Sequence, residues 1–199
     1  MATRQRLIDA ALQLFARHGF DGTSVGDVEA SAGLQPRRGA LYKHFPSKQA
    51  LLDAAVRQKL VTARIAAEQL QQVDLSDVHG ASVDALRPLI QGIGNWFLGE
   101  MDQLEGLTRL FEHDADRLEH LRAEAFAGLV DLSYQTAARI IRAVRPAAED
   151  PEADAVLMLA PLVAVRRTTW TYGDRPLGVD DQRLIDRWTD HVVAMLGDG

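Results

Sequence analysis

Residues 33–52, GLQPRRGALYKHFPSKQALL, gather four positive charges, Arg37, Arg38, Lys43 and Lys48, with Tyr42, His44, two glycines and two prolines. An arginine fork pairs bidentately with guanine O6 and N7, which makes Arg37 and Arg38 the candidates for reading bases in a DNA major groove. Tyr42, Lys43, His44 and Lys48 suit phosphate oxygens, contacts that set register without reading sequence. Gly39 carries no side chain and lets the backbone approach a groove closely. Ser47 and Lys48 stand where a helix N-terminus adds a further anion contact.

This stretch is unusual for its chain. The 199 residues carry a formal net charge of -6, yet residues 1–59 hold nine Lys/Arg and five Asp/Glu. Residues 60–199 hold thirteen basic and twenty-three acidic side chains. A basic end on an acidic body predicts that only the N-terminal part meets a polyanion. The chain has no cysteine, which excludes disulfides, thiolate metal sites and cysteine nucleophiles. MATRQRLIDA leads directly into a helical pattern and does not read as a secretory signal. The longest apolar run, 155–165, is interrupted by Pro161 and falls short of the roughly 20 residues of a membrane span. A cytoplasmic protein with no membrane partner is expected.

The elements that must position these side chains are helical throughout, so the fold class is all-α. Leu7, Ile8, Ala11, Leu12 and Phe15 share one face of a helix from Arg4 to His18, stopped by Gly19. Ser24 opens a second short helix, with Asp27 near its positive end, and Gly33 ends it. Gln35-Pro36 predicts the start of a third helix running to Phe45, because proline suits a first helical turn. On it Leu41 and Phe45, four residues apart, pack inward against Phe15, Val25 and Val28. Ser47 then caps a long helix over 48–72. VDLSDVHGAS, 73–82, reads as a loop and as the domain boundary region. Further helices are expected at about 83–100, 103–117, 119–144, 153–172 and 181–197.

Two short helices joined at a glycine, the second bearing exposed basic residues, form a helix-turn-helix plan. From Arg4 to Leu52 the chain resembles the DNA-binding domain of the TetR family of transcriptional regulators, through RLIDAALQLFARHGFDGTSVGDVEASAG and GALYKHFPSKQALL. The resemblance implies a DNA-binding domain over 1–50 and a ligand-binding and dimerisation domain over 51–199. It implies a homodimer on a palindromic operator in double-stranded DNA, usually a repressor, released by a small-molecule effector, and not an enzyme. The DNA-binding set is Ser24, Arg37, Arg38, Gly39, Tyr42, Lys43, His44 and Lys48. Many relatives have three residues between the glycines of the turn, whereas LQPRR supplies five. The reading helix is therefore expected to start earlier, by about half a turn carrying Pro36 and Arg37.

In the C-terminal part, Trp96, Phe97, Met101, Phe111, Phe126, Tyr134, Met158 and Trp170 are candidates to line the effector cavity, although aromatic residues at helical spacing are more often plain core. Val156, Leu159, Ala160 and Val163 form one stripe and Leu184, Ile185, Trp188, Val192 and Met195 another; the resemblance implies that the last two helices pair with their symmetry mates, with Val156, Ala160, Val163, Ile185, Trp188 and Val192 at the interface. His113, Asp116 and His120, at i, i+3 and i+7, have types that bind zinc, but EHDADRLEH reads better as a solvated or crevice-lining charged face. Gly92-Ile-Gly94 follows no strand and reads as close helix packing, not a nucleotide loop. No metal and no cofactor is expected.

Overall fold

A computed structural model describes residues 3–36, 38–72 and 82–197, with only the backbone described for Leu70, Val83 and Asp84. The candidate Arg37 and most of the expected boundary loop, 73–81, lie outside the described residues. The described residues are all-helical. In chain order they form α1 (Thr3–His18), α2 (Val25–Ser31), a 3-10 turn (Leu41–Lys43), α3 (Lys48–Gln71) and α4 (Arg87–His113). A 3-10 turn (Ala115–Leu118) leads to α5 (Glu119–Ala125), a π-turn (Phe126–Asp131), α6 (Leu132–Val144), α7 (Pro151–Tyr172) and α8 (Asp181–Gly197). Their residues cluster into two compact units, Met1–Arg64 with Leu104–Leu129 and Ile65–Gln103 with Val130–Gly199.

The first unit buries one stripe from each of its helices. Leu7, Ile8, Ala11 and Phe15 of α1 meet Val28 of α2, Leu41 and Phe45 of the reading turn, and Leu51, Leu52 and Val56 of α3. Leu107 and Leu110 of α4, with Leu118 and Leu121 beyond it, complete this core. Ser47 Oγ accepts the Ala50 amide at 3.0 Å, the cap expected for α3.

The second unit builds its core from Ile90 and Leu98 of α4, Ile141 of α6, Met158, Leu159 and Leu162 of α7, and Ile185, Trp188 and Val192 of α8. Asp150 caps α7 by accepting the Ala153 amide, and Gly173, at φ 72°, ends it. At Gly94 the backbone of α4 lies directly against side chains of α8. A Cβ built there would stand 2.6 Å from Trp188 Cζ3 and 2.9 Å from Ile185 Cδ1. Of the glycine pair expected to pack closely, Gly94 does so, whereas Gly92 is exposed and a Cβ built there would meet nothing within 4 Å. Gly94→Ala is expected to destabilise by about 1–3 kcal/mol through overpacking, more than the roughly 1 kcal/mol alanine returns in helix propensity. Urea titration of the variant checks this; unchanged stability would mean that Trp188 shifts at no cost.

Two expected elements differ. No helix runs from Pro36 to Phe45: Gly39 sits at φ 69°, a left-handed conformation that a right-handed helix cannot contain, so only the turn Leu41–Lys43 forms. Arg38, at the end of LQPRR, therefore precedes the turn and is not part of it. The break expected between 100 and 103 is absent. Its polar residues stay helical, and Asp102 lies 3.2 Å from the guanidinium of Arg166, a buried arginine of α7 that also pairs with Asp181 of α8. The helical run expected over 119–144 is present, with the π-turn set into it.

Candidate nucleic-acid interface

The candidate DNA-contacting region is built from a capped helix, a glycine turn and a single 3-10 turn. Ser24 starts α2 with a reciprocal cap: its Oγ accepts the Asp27 amide at 3.1 Å, and its own amide donates to Asp27 Oδ2 at 2.9 Å. The helix ends in a Schellman arrangement, with Gly33 at φ 70°, its amide bonded to Ala30 O and the Leu34 amide to Glu29 O. Beyond it Arg38, Gly39 and Ala40 are non-helical, and the turn begins at Leu41. His44 and Phe45 both donate their amides to Leu41 O at 2.9 Å.

Because Leu41 and Phe45 are buried one turn apart, as their spacing predicts, the residues between them face water. Tyr42 is 59% exposed, and Lys43 and His44 are exposed beside it. Arg38 is exposed on the loop just before Gly39. A phenol, an ammonium and an imidazole on one outward turn, with a guanidinium on the loop leading to it, form a set of hydrogen-bond donors suited to phosphate oxygens and base edges. Arg4 of α1 lies with its guanidinium 5.0 Å from the centre of the Phe45 ring.

Lys48 is held differently from Lys43. Its ammonium donates to Phe20 O at 2.7 Å and to Thr23 O at 2.9 Å, and lies 4.0 Å from the Phe20 ring centre. Two of its three protons are thus engaged by the loop between α1 and α2. The same loop is gripped from the corner after α4. Asp114 accepts the Phe20 amide at 3.1 Å, and Arg117 forks onto both oxygens of Asp21 at 2.8 and 3.0 Å. Thr23, buried, ties the loop to itself and to α1 by donating to Gly19 O and Leu14 O.

Residues 7–55 match the tetR family of bacterial regulatory proteins. These residues are thus similar to the N-terminal domain of TetR-family regulators. The HTH-type transcriptional regulator AcrR of Shigella flexneri is 45% identical over 49 residues, 25% of this chain and 22% of AcrR. The HTH-type transcriptional repressor DhaR of Mycobacterium sp. strain GP1 is 30% identical over 103 residues, 52% of this chain and 46% of DhaR. The chain thus spans less than half the length of these two relatives. Over nearly the whole chain the fold matches the TetR-family regulator PfmR of Thermus thermophilus, with a TM-score of 0.61 at 22% identity, covering 95% of this chain and 97% of PfmR.

The remaining candidates are dispersed. Trp96 and Phe97 line a cavity of about 30 Å³ in the second unit with Thr136, Ile140 and Met158, room for about one water. Tyr134 packs on that unit's core without lining the cavity, and neither Met101 nor Trp170 lines it. Phe111 packs on the core of the first unit instead, and Phe126, in the π-turn, is 58% exposed. Ile185, Trp188 and Val192 turn inward: the close approach at Gly94 draws that face of α8 onto α4, so the stripe assigned to a dimer face is the chain's own core. On α7, Val156 is 49% exposed, and Ala160 and Val163 are half-buried. His113, Asp116 and His120 share no helix face, because α4 ends at His113; His120 Nε2 instead lies 3.3 Å from Asp53. Among the described residues no group of three or more His, Cys, Asp or Glu could hold a metal ion.

The sequence reading missed Glu29, Asp114 and Arg117. Glu29 had a signal: it lies beside Val28 on the buried face of α2, a phase where a carboxylate is costly unless bonded.

Proposed function

We propose that this chain is a DNA-binding transcriptional regulator, a repressor that sits as a homodimer on a palindromic operator and is released by a small-molecule effector. The outward turn Tyr42-Lys43-His44, rooted by Leu41 and Phe45 and approached by Arg38, carries this reading. Residues 1–50 then bind DNA, and 51–199 take the effector and pair the subunits. Affinity comes mainly from phosphate neutralisation and falls steeply with salt. Base preference comes from Arg38, with Arg37 beside it in sequence.

The relatives named as a regulator and a repressor support the direction of control. An apolar cavity against Trp96 and Phe97 supports an apolar effector; at about 30 Å³ it must widen to admit one. The exposed side of α7, with Val156, Leu157 and Ala160, supports pairing through that helix. A two-fold dimer sets two reading turns about one DNA turn apart. No helix among the described residues is long and apolar enough to cross a membrane, in keeping with a cytoplasmic regulator.

The test is a gel-shift titration against DNA flanking the gene, with scrambled competitor and varied salt. A retarded band that survives competitor, with the stoichiometry of a dimer, is the expected result; no binding even at low salt would overturn the reading. Arg38→Ala is expected to cost about 1–3 kcal/mol of specific binding and to relax preference at one or two base positions. Unchanged affinity and preference would move base reading elsewhere.

A further inference from the structure

We infer that Glu29 is the positioning residue of the base-reading segment, because it holds both ends of loop 34–41. Its backbone carbonyl accepts the Leu34 amide at 2.8 Å, and its side-chain Oε1 accepts the Leu41 amide at 3.0 Å. The inference rests on the DNA-binding reading above.

The loop needs such a device. Left-handed Gly39 interrupts any helical ladder just ahead of Leu41, so the Leu41 amide needs a partner from outside its own turn. A free loop of this length samples many end-to-end separations, and ordering it costs conformational entropy. Glu29 sits at the C-terminal end of α2, which is fixed on the core by Val28 and Ala32. From that one residue the Schellman bond sets where the loop leaves, and the carboxylate sets where it returns.

The carboxylate is 0% exposed. Burying a charged group is expensive unless hydrogen bonds compensate, and the Leu41 amide, at the start of a 3-10 turn, has no partner within the turn. The Leu41 amide gives the carboxylate one such bond and gains its own partner by it.

Function follows from what lies on either side of that bond. Arg38 precedes the pinned amide, and Tyr42, Lys43 and His44 follow it. The position of the loop's guanidinium relative to the three phosphate-type donors is therefore set from beneath by Glu29. Losing the carboxylate bond should disturb base reading more than phosphate contact.

The experiment starts from duplexes selected by the wild-type protein out of a random-sequence library, and compares Glu29→Met with Glu29→Gln. Methionine keeps length and loses the acceptor; glutamine keeps an Oε1 acceptor. For Glu29→Met the preference for selected over scrambled duplex is expected to fall by about fivefold or more, the scale of one lost base contact, with the slope of log affinity against log salt unchanged. Glu29→Gln is expected to stay within about twofold of wild type on that same scale. Wild-type discrimination in Glu29→Met, or equal loss in both variants, would overturn the assignment. Amide exchange of Leu41 in the wild-type protein is read alongside and does not depend on either variant folding. Protection matching the α2 core amides is expected, and exchange at the rate of open chain would overturn the pin. If the wild-type protein selects no sequence while Leu41 is protected, the DNA-binding reading fails and this inference with it, although the bond itself stands.

Discussion

Trp188→Ala is expected to lower the unfolding free energy by about 3–5 kcal/mol, the largest stability loss foreseen for a single side chain here. The indole is 6% exposed, lies against Gly94, and donates its Nε1 proton to Met158 O at 2.7 Å. Truncation would leave a void among α4, α7 and α8 that their backbones cannot collapse to fill. Urea titration followed by circular dichroism at two protein concentrations checks it. A loss independent of concentration is expected, because the side chain belongs to the core of its own chain. A loss that disappears on dilution would return Trp188 to a subunit interface.

Lys48→Met and Lys43→Met are expected to separate two uses of the same side chain. Lys43 reaches only outward, so Lys43→Met should leave melting unchanged and flatten the log–log salt dependence of DNA binding by about 0.9 per contact. Lys48 bonds two backbone carbonyls of the α1–α2 loop. Hydrogen bonds from a charged donor contribute about 1.5–3 kcal/mol each, and half-exposure discounts them, so Lys48→Met should cost about 2–3 kcal/mol of stability. Its DNA affinity should fall as well, since that loop leads straight into Ser24 and α2. Thermal melts and gel shifts at two salt concentrations decide it. Wild-type melting in Lys48→Met would confine the ammonium to a phosphate contact.

What the sequence made legible was periodicity and punctuation. The stripe of α1, the caps at Ser24 and Ser47 and the stop at Gly33 are local, and the structure contains each. What it hid was set by conformation or by distant partners. Pro36 announces a helix, but the left-handed Gly39 three residues later cancels it, and no residue pattern separates a helical glycine from a left-handed one. Asp102 reads as part of a polar break because its partner Arg166 lies on another helix. Trp188 reads equally well as a face for a partner chain or for its own core, and only Gly94 on α4 decides between them. The proposed base-reading segment shows both limits: its side-chain types are visible in the sequence, while the bond from the Glu29 carboxylate to Leu41 emerges only from the fold.

The three tryptophans, Trp96, Trp170 and Trp188, all belong to the second unit. One lines the cavity and one is sealed in the core beside it. Light absorbed by indole is therefore re-emitted from that unit alone, and the chain carries an optical probe in the unit that lacks the reading turn. Adding operator should leave the intrinsic emission nearly flat, while a molecule entering beside Trp96 should change its colour or intensity. Effectors can thus be sought by fluorescence in the unlabelled protein, before any operator is known.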